Sequence, residues 1–290
     1  MAAYMMRSPR LRENITSCLR PHEAVIAPDA GHIVVREAGA IEATGHKLIT
    51  IPHKDGKLTV EGICAAALDK NAHFPHMAKP RLVYLSNATE LGTVYSKTEL
   101  AAISRLCRER GLLLFLDGAR LAAALAADRT DSLTLRDVAE LTDIFWIGGT
   151  KVGALMGEAI VIGNPALASD FAFHVKQRGG LLAKGRVLGV QFLELFRSGL
   201  FLDLAAHANR MAALLSSGIS QAGYEMAAVT ETNQVFPMLP DGLVAKLEES
   251  YVFYVWEKVD GDRAVIRLVT SWATDREQVE AVIAVVRNWR

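Results

Sequence analysis

The sequence predicts an α/β protein with a mostly parallel sheet flanked by helices and a smaller C-terminal α+β domain. Two observations carry that reading. Short apolar runs at 82–85, 112–116 and 144–147 alternate with helical stretches at 97–110 and 137–141, and such alternation implies right-handed crossovers between parallel strands. Beyond them, 189–201 and 202–222 read as long helices of the kind that join a large domain to a small one, which divides the chain into 1–195 and 196–290.

Up to about Arg20 the chain is basic and irregular and carries no assignable element. PHEAVIAP, 21–28, contains a short strand, after which Gly31, Gly39 and Gly45 break the chain into short pieces ending in a strand at 47–51. Apolar residues recur at helical spacing over 58–68, with a polar break at Glu61, which is the pattern of an amphipathic helix. His73 and His76, on either side of Pro75, read as loop residues rather than ligands. After the strand at 82–85 come a rim loop, 86–90, the helix 97–110, a strand ending at Asp117, the helix 137–141 and the strands 144–147 and 158–162. The chain is then helical over 165–173 and broken at Arg178-Gly179-Gly180. The C-terminal part alternates strand 236–239, helix 243–249, strands 252–256 and 264–270, and helix 277–289.

With 290 residues, 51% of them hydrophobic, the chain can bury a large core. Lys plus Arg and Asp plus Glu number 32 each, so net charge argues for neither a nucleic-acid surface nor a basic membrane patch. Cys18, Cys64 and Cys107 are widely spaced, with no CxxC pair and no histidine placed to complete a zinc motif. That points to free thiols in a reducing compartment and to no metal. The opening MAAYMMRSPRLRENI lacks the apolar core of a signal peptide, and no apolar run is long enough to span a bilayer. A soluble, cytoplasmic protein is expected.

Two charged residues end apolar runs where folding alone does not call for them. Lys151 follows Ile144-Phe145-Trp146-Ile147 and the pair Gly148-Gly149, and no other charge follows it until Glu158. Small and apolar neighbours partly desolvate its ammonium, which lowers a lysine's pKa and frees the amine to condense with an aldehyde. Asp117 closes GLLLFLD and precedes Gly118. Taken singly, Lys151 reads equally as a surface lysine and Asp117 as a turn or cap residue. Ligands of open α/β sheets sit outside the carboxyl ends of the strands, so both side chains fall on one rim. A lysine for the aldehyde and an acid for the ring nitrogen are together what pyridoxal phosphate requires. His32, in the loop after the first strand, falls on the same rim.

Five motifs, LSNATELGT (85–93), FLDGARL (115–121), FWIGGTKVGALMGEA (145–159), KQRGGLLAKGR (176–186) and RLVTSWAT (267–274), occur in this order from about Arg20 onward. In them the chain resembles the low-specificity threonine aldolase and β-eliminating lyase family, pyridoxal phosphate enzymes of fold type I. The resemblance implies that Lys151 binds the cofactor and then carries a proton. It gives Asp117 the ring nitrogen, and His32 the ring face together with general-base chemistry at the substrate hydroxyl. Arg120 and Arg267 become the grip on the substrate α-carboxylate; a guanidinium fork suits that task. For either arginine singly, a surface ion pair is an equal reading. The implied reaction cleaves the Cα–Cβ bond of β-hydroxy amino acids such as threonine, and the implied assembly is a homodimer or homotetramer.

Two departures keep alternatives open. Many aldolases of the family carry a second histidine where this chain has Glu90. The family also has an N-terminal arm with a substrate-binding serine and a Gly-Gly-Thr phosphate loop, and MAAYMMRSPRLRENI stands in that place here. Thr150, at the end of Gly148-Gly149-Thr150, is then expected to supply one phosphate contact, and Arg178 and Lys184 to reach a phosphate, their own subunit's or a neighbouring one's. An aldolase, another lyase of the same cofactor class acting on an amino acid, and a shortened homologue with weak or no cofactor binding all remain open.

Overall fold

The computed structural model describes residues 2–6, 15, 17–70 and 73–289. The stretch 7–14, expected to be basic and irregular, and residues 71–72 of the loop holding His73 and His76 lie outside the described residues.

The main sheet consists of β1 (Ala2–Met6), β2 (Glu23–Pro28), β3 (Leu48–Ile51), β4 (Lys79–Ser86), β5 (Leu113–Asp117), β6 (Ile144–Gly148) and β7 (Glu158–Ile162). Its order is β1-β7-β6-β5-β4-β2-β3. The five strands from β3 to β6 run parallel, while β7 is antiparallel to β6 and β1 antiparallel to β7. β5, β6 and β7 are buried along their whole lengths. A strand covered on both faces has no polar face to alternate with, which is why these segments read as unbroken apolar runs. One face carries Tyr84, Phe115 and Trp146, and the other carries Leu85, Leu116 and Phe145.

The helices α1 (Lys97–Arg110), α2 (Leu121–Leu125) and α3 (Leu135–Leu141) follow β4 and β5. α1 begins at a Ser96/Glu99 capping box and ends at Gly111, whose φ of 64° suits glycine. α3 starts with the same device, built from Thr134 and Asp137. Over 58–68 the expected single helix is one turn, Val60–Gly62, running into a wider π-type segment, Ile63–Leu68. Two short pieces, Pro165–Ala168 and α4 (Phe171–Gln177), replace the expected helix at 165–173.

α5 (Arg186–Arg197) and α6 (Leu200–Gln221) meet at Gly199, with φ 78°. The break lies earlier than apolarity suggested, because the left-handed glycine rather than the apolar run around Phe201 ends the first helix. α6 then joins the two cores: Phe201 and Ala205 pack beneath the main sheet, and Met211, Leu215 and Ile219 pack in the second. Asn209 ties the helix back to α2 by donating to the Ala123 carbonyl at 2.9 Å.

The second sheet comprises β8 (Gln234–Val235), β9 (Met238–Pro240), β10 (Tyr254–Lys258) and β11 (Arg263–Val269), packed with α7 (Asp241–Glu248) and α8 (Arg276–Asn288). The single strand expected at 236–239 is split because Pro237 lacks the N–H that a continuous ladder needs. β1 was not expected either. Ala-Ala-Tyr-Met-Met holds no β-branched residue, and its conformation comes from pairing with the edge of β7. Among the described residues no helix is long and apolar enough to cross a membrane, and no group of three His, Cys, Asp or Glu could hold a metal ion.

Candidate active site

The parallel strands β2, β4, β5 and β6 end on one rim, at Pro28, Ser86, Asp117 and Gly148. The turns that follow carry His32, Glu90, Arg120 and Lys151. These four residues, with Asp117 and Arg267 of β11, line a cavity of about 570 Å³, within the usual range for small-molecule sites. Tyr254 and Trp256 of β10 close it from the second sheet. The turns after β5 and β6 touch: the Gly148 N–H donates to the Gly118 carbonyl at 2.9 Å. A Cβ at Gly118 would overlap the Trp146 carbonyl, and one at Gly148 would overlap that of Ala119, so this approach requires glycine on both sides.

Asp117 is buried, accepting from the Tyr84 hydroxyl at 2.5 Å and from the Ala119 N–H at 2.9 Å. Burial pushes its pKa up, opposed by those two hydrogen bonds and by the charge of Lys151. Lys151 follows β6 in a 3₁₀ turn, Thr150–Val152. Its side chain is open to solvent by area, yet its pKa falls to about 8, first through desolvation and then through the charge of Arg120. The two observations agree for an amine in a concave site, where solvent enters by the mouth while protein surrounds the group on the other sides. Glu158, at the start of β7, is buried and pushed up to about 7 for the same first reason. It accepts from the Gly149 N–H at 2.8 Å and the Thr150 hydroxyl at 3.3 Å.

Arg120 and Arg267 are the cationic wall. Arg120 is lowered to about 10 by burial and then by the charge of Arg267. Arg267 is lowered by burial and then by Arg36. It donates to Gln234 Oε1 at 2.6 Å and lies over the Trp256 ring, 5.6 Å from its centroid, while Arg36 lies 5.3 Å from the same ring. The Nε atoms of both Arg120 and Arg267 are buried without a hydrogen-bond partner among the described residues. Two half-buried, mutually repelling guanidiniums, each with an unmet Nε, are a standing cost that an anion between them offsets. His32 opens the short helical turn His32–Val35, and its Nδ1 lies 2.7 Å from Glu37 Oε1.

Three residues singled out in the sequence stand elsewhere. Thr150 turns its hydroxyl to Glu158, Arg178 sits at the end of α4, and Lys184 is exposed in the turn before α5; none lines the cavity. Conversely, sequence reasoning missed Tyr84, Glu158, Trp146 and Trp256. A tyrosine inside the run Leu82-Val83-Tyr84-Leu85 did signal a buried hydroxyl in need of a partner, but which partner depends on the β4–β5 register. For Trp256 there was no signal, since it reaches the cavity from the second sheet.

A cavity with an amine of lowered pKa, a buried carboxylate and two guanidiniums that each keep an unpartnered Nε fits pyridoxal phosphate and an amino acid. This fold and site are those of a pyridoxal phosphate-dependent enzyme of fold type I. Residues 12–241 match the β-eliminating lyase family, and the chain belongs to it. It is 37% identical over 278 residues to the low specificity L-threonine aldolase of a Pseudomonas species, covering 94% of this chain and 78% of the relative. To the enzyme of the same name from Pseudomonas aeruginosa it is 35% identical over the same length and shares. The solved structure of Leishmania major threonine aldolase superposes with a TM-score of 0.95 at 45% identity, covering 99% of this chain and 83% of that one.

Proposed function

We propose that this chain is a pyridoxal phosphate-dependent lyase that cleaves the Cα–Cβ bond of β-hydroxy amino acids such as threonine, releasing glycine and an aldehyde. The observation that carries the substrate class is the pair Arg120 and Arg267, two cations that line the cavity with Lys151 and Asp117 and each keep an Nε without a partner among the described residues. An α-carboxylate satisfies both, and fixing it decides which bond at Cα lies perpendicular to the cofactor ring. When bound, pyridoxal phosphate supplies an electron sink for the pair left at Cα.

Lys151 would hold the cofactor through Nζ, and the same amine, once free, is the group placed to move a proton. Its lowered pKa keeps a substantial neutral fraction near neutral pH. Asp117 would pair with the ring nitrogen, whose positive charge would offset the burial of the carboxylate, and His32 would hold the ring face. The names of the relatives support the same reaction. With these groups lining one cavity, a non-catalytic homologue is not favoured.

The basic, glycine-rich run QRGGLLAKGR supports assigning Arg178 and Lys184 to the phosphate in a neighbouring copy. Val187, Val190 and Leu193, exposed along α5, support an apolar interface between copies, in a homodimer or homotetramer. The three widely spaced thiols support a cytoplasmic location. The test of function is direct. Purified chain with pyridoxal phosphate should develop a visible absorption band and release glycine and aldehyde in equal amounts from threonine, and Lys151→Ala should do neither. A wild-type protein without band or cleavage would refute the reading.

A further inference from the structure

We propose that Glu90 is the catalytic residue that takes the proton from the substrate's β-hydroxyl through its Oε2, an inference that rests on the lyase reading above. Cleavage needs such an acceptor, because the hydroxyl oxygen can form the aldehyde double bond only as its proton leaves. Glu90 lines the cavity with Lys151, Arg120 and Arg267. One carboxylate oxygen is fully engaged: Oε1 accepts from the Ser86 hydroxyl at 2.7 Å and from the His32 N–H at 2.8 Å. The other, Oε2, is buried without a hydrogen-bond partner among the described residues. A cavity-lining carboxylate held by one oxygen while the second has no partner keeps an acceptor for a donor that arrives with a ligand.

The other acceptor on this rim is His32, and it is placed less well. Its Nδ1 lies against Glu37, and an imidazole that packs flat on a ring keeps its nitrogens in its own plane rather than directed at the substrate. Burial raises the pKa of Glu90, and the charge of Asp117 adds to that, while the hydrogen bonds from Ser86 and His32 oppose it. The remaining groups that interact with it are Tyr84 and Tyr95 from the sheet side and Arg120 and Arg267 across the cavity. A raised pKa makes the carboxylate a stronger base for a hydroxyl proton.

The balance is simple. Oε2 takes the proton, the O–H pair becomes the second C–O bond of the aldehyde, the Cα–Cβ bond breaks, and its pair stays at Cα. Cα is then protonated to give glycine, and Glu90 returns its proton to water as the aldehyde leaves.

Four measurements on Glu90→Gln decide the matter. Threonine cleavage should fall at least ~10²-fold in kcat, with KM little changed. Exchange of the glycine α-proton, which has no hydroxyl to deprotonate, should fall far less. The acidic limb of the kcat/KM profile should disappear. In cofactor-free protein, wild type should lose stability relative to Glu90→Gln as pH rises from about 4.5, because the folded state favours the protonated acid. If Glu90→Gln misfolds, Glu90→Ala with added formate should regain cleavage saturably, which a purely structural role would not allow. Cleavage within about threefold of wild type in Glu90→Gln, or equal loss of cleavage and exchange, overturns the assignment. A wild type that neither cleaves threonine nor exchanges glycine overturns the lyase reading beneath it.

Discussion

The Gly148 N–H donates to the Gly118 carbonyl, so the turn that follows Asp117 rests on the turn that carries Lys151. That contact fixes the distance between acid and amine more directly than either side chain's own packing does. Gly118→Ala should therefore act on the site as well as on the fold. Its Cβ meets the backbone carbonyl of Trp146, which cannot swing aside. The expected cost is about 1–3 kcal/mol or more of stability by thermal melting, with weakened cofactor binding in whatever folds. A variant that melts and binds like wild type would show that the two turns are not rigidly coupled.

Lys151 should behave as an amine of pKa about 8 in the cofactor-free protein. The neutral form is the nucleophile, so reductive trapping by an aldehyde should rise with pH and reach half its limit near that value. Arg120 is the second cause of the depression. Arg120→Gln removes that cation, so the midpoint should move upward, toward the ordinary lysine range. A midpoint unchanged by Arg120→Gln would leave the depression to desolvation and to Arg267.

These two turns also show which parts of the structure were legible in the sequence. Asp117 and Lys151 stand out because each ends a buried run, where a charge has no packing reason to be. The Gly118 to Gly148 contact does not stand out, since it depends on which strands are neighbours. Glu158 was visible only as the next charge after Lys151; that it closes over the Gly149 N–H follows from β7 running antiparallel beside β6. β1 escaped notice because its strand is imposed by a partner, and the α5–α6 break was misplaced because a single backbone angle at Gly199 outweighs the apolar pattern. Trp256 reaches the cavity only through the packing of one sheet on the other, which no local pattern encodes.

Tyr84→Phe removes the 2.5 Å hydrogen bond to buried Asp117 and leaves the fold otherwise intact. A hydrogen bond to a charged group is worth about 1.5–3 kcal/mol. Part of that loss should appear as weaker cofactor binding, on the order of tenfold, because an aspartate with one donor fewer is harder to keep ionised opposite the ring nitrogen. Cofactor titration by absorbance checks this; equal affinity would mean that the ring nitrogen alone holds Asp117 charged.

Arg267→Leu should raise KM for threonine and lower kcat/KM, with a loss on the order of 2–4 kcal/mol if the guanidinium binds the carboxylate bidentately. Arg267→Lys keeps the charge but not the fork and should recover only part of it. An amino alcohol without the carboxylate should react equally poorly with wild type and Arg267→Leu. Sensitivity of that analogue to the substitution would show that Arg267 serves the site through Trp256 and Gln234 instead.

Glu158 supplies a test that needs neither cofactor nor substrate. Its carboxyl is raised from an ordinary value of 4.5 to about 7 in the fold, chiefly by burial. An acid with a raised folded pKa holds its proton more tightly folded than unfolded, so stability is greatest below about pH 4.5 and declines as pH rises through about 7. The full difference corresponds to roughly 3–4 kcal/mol. Glu158→Gln keeps an acceptor for the Gly149 N–H but cannot ionise. Between pH 4.5 and 8 the cofactor-free variant should accordingly gain stability over wild type as pH rises. Parallel melting curves for the two proteins across that range would mean that the ammonium of Lys151 already compensates the charge.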